Sequence, residues 1–158
     1  MGVHCKAQLG LTRIELATVV LILAVLLAAA LPRLMSFGSD ARKARLRAVL
    51  GSVEAATQIT RAAALVAGGN ALDHDHRVTQ DGVTVATAFG YPKASAAGIV
   101  RAAGIDPAAD RIGIAVTGTT VTFAVLGAHV EARCSFTYAQ STGAATPPAI
   151  GKLDFSGC

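Results

Sequence analysis

The apolar positions of this chain are unevenly spread, and their spacing changes twice. Residues 16–31 form a run of sixteen positions without a charge, in which Thr18 is the single polar side chain; Glu15 precedes it and Pro32-Arg33 follow. Sixteen residues fall short of the ~20 that a bilayer-spanning helix needs, and including residues 11–14 makes up the difference. The run therefore predicts a membrane-spanning helix. A cleaved secretory signal, with a small-residue site at Ala28, Ala29 and Ala30, is the competing reading of the same run.

Beyond Pro32 and the small cluster Ser36-Phe37-Gly38-Ser39 the period becomes helical. Leu46, Val49, Leu50, Val53, Ala56, Thr60 and Ala63 recur at steps of three and four, while Lys43, Arg47, Glu54, Gln58 and Arg61 occupy the other face. This predicts an amphipathic helix with Asp40 as its N-cap, running to about Val66 and stopped by Gly68-Gly69-Asn70. If it joins the apolar run, the combined helix is ~55 residues long, on the order of 80 Å, with Pro32 expected to kink it.

After a polar stretch over residues 70–81, predicted to be a loop, the spacing turns β-like. Residues 83–89 read as a strand and Gly90-Tyr91-Pro92 as a turn. Residues 95–103 predict a short helix ending at Gly104. Ile112, Ile114 and Val116, then Val121, Phe123 and Val125, alternate on either side of Thr117-Gly118-Thr119-Thr120, which predicts a hairpin. Residues 130–138 add a strand with Cys134, Phe136 and Tyr138 on one face. Residues 140–148 read as a loop, after which Ile150, Leu153 and Phe155 return apolar contacts. The resulting class is α+β: a long N-terminal helix, membrane-spanning in its first half, packed against a small antiparallel sheet.

Composition sharpens this reading at three points. With 158 residues and 53% apolar positions the chain is long enough for one packed domain, and aromatics at 4% leave the excess to Ala, Val, Leu and Ile. The net charge of +4 is concentrated in Arg33, Arg42, Lys43, Arg45 and Arg47, just past the apolar run. That collar suits a phospholipid surface, whereas specific nucleic-acid binding is unsupported because no aromatic residues interleave the cations and no binding module is present. By the positive-inside rule the collar favours the cytoplasmic side.

The cysteines are informative by place. Cys134 and Cys158 lie in the last quarter and Cys5 near the start. A bridge between the first two closes a loop of roughly 25 residues, worth about 3–4 kcal/mol by loop-closure entropy, and implies an oxidising compartment. Two free buried thiols are the other reading, and zinc is disfavoured because neither cysteine has a partner at ligand spacing. Asp73-His74-Asp75-His76 alternates carboxylate and imidazole, but in an extended chain successive residues point to opposite sides, so a solvated loop is expected and no metal site. No nucleophile elbow, phosphate-cradling glycine loop or spaced carboxylate pair marks a catalytic centre, and no cofactor is expected.

The remaining motif is Gly10-Leu11-Thr12-Arg13-Ile14-Glu15-Leu16 leading into the apolar run. A carboxylate at the edge of a membrane segment costs a few kcal/mol if it sits deep, which makes Glu15 a functional candidate. Cleavage after Gly10 would leave the α-amino group of Leu11 as a cation for Glu15, in the same or a neighbouring subunit; the alternative is a side chain held at headgroup level.

This N-terminal pattern resembles the processing signal of type IV pilins and of the pseudopilins of type II secretion. Pro32-Arg33-Leu34, Ser39-Asp40-Ala41-Arg42, Gly90-Tyr91-Pro92, and Cys134 and Cys158 with Phe136 and Tyr138 between them are similar to the mannose-sensitive haemagglutinin type of type IV pilin. The resemblance implies the pilin fold, with residues 1–10 a leader, 11–32 a membrane and polymerisation helix, and 33–158 an amphipathic helix and head. It implies cleavage between Gly10 and Leu11 by a prepilin peptidase, N-methylation of Leu11, registration of incoming subunits by Glu15, and a Cys134–Cys158 bridge around a surface loop. It further implies an inner-membrane precursor with a periplasmic head, an assembly platform, and an extracellular homopolymer serving adhesion, motility or DNA uptake without enzymatic activity. The pseudopilin of a secretion system is the alternative it leaves open. Two positions depart from the family pattern: Leu11 stands where Phe is usual, and Arg13 where an apolar residue is usual.

Overall fold

In a computed structural model the chain is described over residues 12–158, with the side chains of 31–36 outside that description. Helical backbone covers Arg13–Ala67, here α1. The chain divides into two units, residues 1–38 and 39–158.

The second helical segment does not begin at Asp40. Helix continues through Phe37, Gly38 and Ser39, and Asp40 sits inside it, 3.8 Å from Lys43 one turn on. A glycine in a helix costs about 1 kcal/mol, and a long run of Ala, Arg, Lys and Leu on the C-terminal side outweighs that. The kink expected at Pro32 lies outside the described residues. The helix stops where expected: Gly68 and Gly69 both take positive φ, and Gly68 N–H donates to Ala64 O at 3.2 Å.

In the unit formed by residues 39–158, the apolar stripe of α1 is buried as its spacing predicts. Leu46, Val49, Val53, Ala56 and Thr60 are buried, Leu50 and Ala63 partly, and Glu54 and Gln58 face solvent. Two antiparallel sheets complete the unit. The first is β1 (His76–Gln80), β2 (Val83–Ala88) and β3 (Tyr91–Pro92), in that order. The second runs in sequence order through β4 (Ile112–Thr117), β5 (Thr120–Val125), β6 (Ser135–Ala139) and β7 (Ala149–Asp154).

Four expectations change here, the first being the strand over residues 130–138, which shortens to Ser135–Ala139 behind a 3-10 turn at Glu131–Arg133. The polar stretch predicted as a loop contains β1, because Asp81-Gly82, both at positive φ, forms a two-residue hairpin turn that pairs Gln80 with Val83. The turn expected at Gly90-Tyr91-Pro92 moves forward to Phe89-Gly90, also at positive φ, and Tyr91-Pro92 pairs back onto Ala88 and Thr87. The short helix over residues 95–103 is interrupted: Ser95 Oγ accepts from Gly98 N–H at 3.0 Å, but Gly98 itself has non-helical angles. The hairpin of β4 and β5 forms as expected, and Cys134, Phe136 and Tyr138 are all fully buried on one face.

The core joins the α1 stripe to Ile99, Ile112, Val121, Phe123, Val125, Phe136 and Tyr138, with Phe123 and Phe136 stacked at 5.0 Å between centroids. Two fully buried hydroxyls, those of Thr60 and Thr87, stand unpaired among the described residues. An unpaired buried hydroxyl costs about 1–3 kcal/mol, and valine is the apolar isostere of threonine with similar helix propensity. Thr60→Val is therefore expected to raise unfolding stability by roughly 1 kcal/mol. The check is a higher denaturant midpoint at unchanged slope for the full chain in detergent; an unchanged or lower midpoint contradicts it.

Candidate functional site

Among its described residues the N-terminal unit buries no side chain. Ile14, Leu16, Val19, Val20, Leu21, Ile22, Leu23, Val25, Leu26 and Leu27 are all exposed, and Arg13–Ala30 is apolar and long enough to cross a bilayer. Such a surface is stable only against lipid or other apolar protein, since each exposed aliphatic side chain forgoes about 1.5–3 kcal/mol of burial in water.

The start of this helix is built locally. Thr12 Oγ1 accepts the backbone N–H of Glu15 at 3.3 Å, and Leu16 N–H reaches Thr12 O at 3.0 Å. Thr12 is thus an N-cap, and Thr12-x-x-Glu15 has the spacing of a capping box, with an acidic side chain in the first turn where the helix dipole favours it. Thr18 returns its hydroxyl to Glu15 O at 2.8 Å, so the polar residue of the apolar run is satisfied within its own helix. Gly10 and Leu11, the predicted cleavage pair and methylation site, lie outside the described residues. Glu15 is exposed in its own unit.

In the other unit Cys134 and Cys158 form a disulfide with a Cα–Cα distance of 4.9 Å. Around it the chain is closed by backbone bonds, Val130 N–H to Gly157 O at 3.1 Å and Gly157 N–H to Arg133 O at 2.9 Å. Two cations of the predicted collar are turned onto this segment. Arg42 donates through Nε to Cys158 O, and the Arg47 guanidinium lies 4.9 Å from the centre of the Phe155 ring. Lys43 pairs with Asp40, and Arg45 stays exposed. The collar is therefore partly structural.

Arg61, placed by its spacing on the solvent face, does similar work at the far end of α1. Its Nη1 donates to Phe89 O at 2.7 Å and its guanidinium stacks 4.8 Å from the Tyr91 ring, which fixes the Phe89-Gly90 turn. Tyr138 donates its hydroxyl to Pro92 O at 2.7 Å and so ties the two sheets; burial pushes its phenol well above the usual tyrosine range, and it stays a neutral donor.

The acidic and imidazole run is dispersed by the fold. Asp73 O accepts Phe89 N–H, His74 meets the Phe89 ring edge-on, and His76 opens β1. Asp75 takes a hydrogen bond from Lys93 Nζ at 2.8 Å, which holds its carboxyl below the usual range. Among the described residues no three His, Cys, Asp or Glu side chains gather to hold a metal ion. Sequence reasoning missed Thr12 as a cap, although the Thr-x-x-Glu spacing carries that signal. It also missed Arg42, Arg47 and Arg61 as internal ties, which no local pattern reveals. Searches against family models, curated proteins and solved structures returned no match for this chain.

Proposed function

We propose that this chain is a structural subunit of a type IV pilus-like surface filament, inserted in a membrane as a precursor, cleaved between Gly10 and Leu11, and polymerised through its N-terminal helix. The observation that carries this reading is one helix whose first part leaves every described large aliphatic side chain uncovered. The carboxylate of Glu15 stands at the head of that surface, four residues after the cleavage pair. In lipid the surface suits a precursor; in a filament, helices of neighbouring copies replace the lipid. Pairing Glu15 with the freed amine of Leu11 on a neighbour would fix axial register, because a buried charge without its partner is strongly disfavoured. The disulfide fits a head exported to an oxidising compartment.

The experiment is intact-mass measurement and N-terminal sequencing of the protein in surface material sheared from its native host. The expected product starts at an N-methylated Leu11 and is lighter by two hydrogens for the disulfide. A start after Ala28, Ala29 or Ala30, or an intact Met1, overturns the reading in favour of a secreted or anchored domain.

A further inference from the structure

Two antiparallel sheets in one head leave four strand edges, and an unpaired edge is a template for another strand unless something blocks it. Three of the four are blocked. β1 carries His76 and Arg77; β3 is two residues long and contains Pro92; β7 has Lys152 at positive φ, a register shift against β6, and Asp154. β4, Ile112-Gly113-Ile114-Ala115-Val116-Thr117, has no charge, no proline and no shift in its pairing with β5.

The outward groups of β4 follow from the ladder. Leu126 N–H donates to Arg111 O, while Val125 N–H donates to Cys134 O on the opposite side of β5. By the alternation of an antiparallel ladder, residues 111, 113, 115 and 117 bond to β5, so Ile114 and Val116 present their N–H and C=O to the open side. Among the described residues the next position back, Ile112, has its N–H taken by Pro107 O, whereas Ile114 and Val116 have no such partner. Ala115 and Thr117 are exposed, and Val116 is 51% exposed although it shares the core-facing side with Ile112 and Ile114.

We infer that β4 is a docking edge for a second copy of this chain, paired antiparallel across a two-fold axis through Ala115. In that register Ile114 of each copy faces Val116 of the other, and each pair exchanges both of its backbone bonds. The half-exposed Val116 gains an isoleucine as its direct cross-strand neighbour, an apolar pair of the kind that stabilises sheets. Arg111 falls opposite Thr119 of the other copy, so no like charges meet. A two-fold contact uses one patch on both partners, and β4 is complementary to itself, whereas a head-to-tail strand contact would have to use one of the three blocked edges. Copies held in one membrane by their apolar helices would meet at raised effective concentration.

The test is cysteine cross-linking of the full chain in membranes, in a Cys5→Ser background with the native disulfide verified by mass. Ala115→Cys places its thiol opposite its own copy at a non-hydrogen-bonded position, where Cα atoms lie about 4.5 Å apart and a disulfide can close. Thr117→Cys sits roughly 13 Å from its counterpart in the same register. Under mild oxidation Ala115→Cys is expected to give at least roughly tenfold more cross-linked homodimer than Thr117→Cys. Adding Val116→Pro, which removes an outward N–H without touching the β5 ladder, should return it to the control level. Should Ala115→Cys lack the native disulfide, chains carrying Gly113→Cys mixed with chains carrying Thr117→Cys test the same register, because these positions face each other across the axis. Equal yields from Ala115→Cys and Thr117→Cys, no homodimer from either arrangement, or a cross-link only to a different protein overturns the inference. The readout needs no filament, so its failure leaves the filament proposal standing, and an absence of filaments does not remove the cross-link.

Discussion

On the filament reading proposed above, Glu15→Ala is expected to yield a precursor that still enters the membrane and is still cleaved after Gly10, yet is lost from sheared surface fibres by at least roughly a hundredfold. Removing one partner of a buried ion pair costs about 3–5 kcal/mol, which at ~1.4 kcal/mol per decade is two to three orders of magnitude in subunit affinity. Alanine is as apolar as its neighbours, so insertion loses nothing, and the apolar run from Leu16 onward is unchanged. Glu15 has a second local role, at the third position of a helix capped by Thr12. Thr12→Ala separates the two roles. It removes the cap, worth about 1 kcal/mol, and retains the carboxylate, so its fibres should persist at lower yield. Glu15→Gln retains a hydrogen-bonding side chain without the charge and should fail with Glu15→Ala. The measurement is the ratio of sheared-fibre protein to total processed protein for each variant. Normal fibre yield from Glu15→Ala sinks the registration role, and failure of Thr12→Ala alone reduces Glu15 to a capping residue.

What the sequence revealed tracks how local each cause is. The α1 stripe and the β4–β5 hairpin have apolar spacings that survive in the folded chain, since Leu46, Val53, Val121, Phe123 and Val125 are all fully buried. β1 was hidden because it is an edge strand with one buried residue, Val78, among four polar ones, too little alternation to read as a strand. Its turn, Asp81-Gly82, was the better signal, because only a few residue pairs adopt two successive positive φ angles cheaply. β7 shows only scattered apolar positions in the sequence, for the same physical reason: it is an edge carrying Gly151 and Lys152. The site divides in the same way. Thr12 and Glu15 stand at capping spacing in the sequence, a local signal that the membrane reading of the same segment leaves unused. Arg42 reaches across 116 positions to Cys158, and no periodicity within α1 distinguishes it from a solvated cation.

That long-range contact makes the disulfide the most consequential covalent feature of the head. Replacing Cys134 and Cys158 together with serine is expected to lower head stability by about 3–4 kcal/mol, the loop-closure entropy returned to the unfolded chain by opening a loop of this length. For a unit of this size the thermal midpoint should fall by on the order of 10–15 °C. The bond is not the segment's only tie, because in a backbone clasp Val130 N–H donates to Gly157 O and Gly157 N–H to Arg133 O, Arg42 holds Cys158 O, and Arg47 covers Phe155. Gly157→Ala probes the clasp with the disulfide intact. A Cβ there would collide with Val130 O and lie 2.6 Å from Arg133 Cβ, so strand and loop must shift. Overpacking of that kind costs about 1–3 kcal/mol. The check is thermal unfolding of full chains in detergent, with and without reductant. Reductant should bring the native protein down to the double-serine variant and leave that variant unchanged. A double-serine variant unfolding within ~1 kcal/mol of the native chain would show that the clasp and the two arginines hold the segment without the covalent bond.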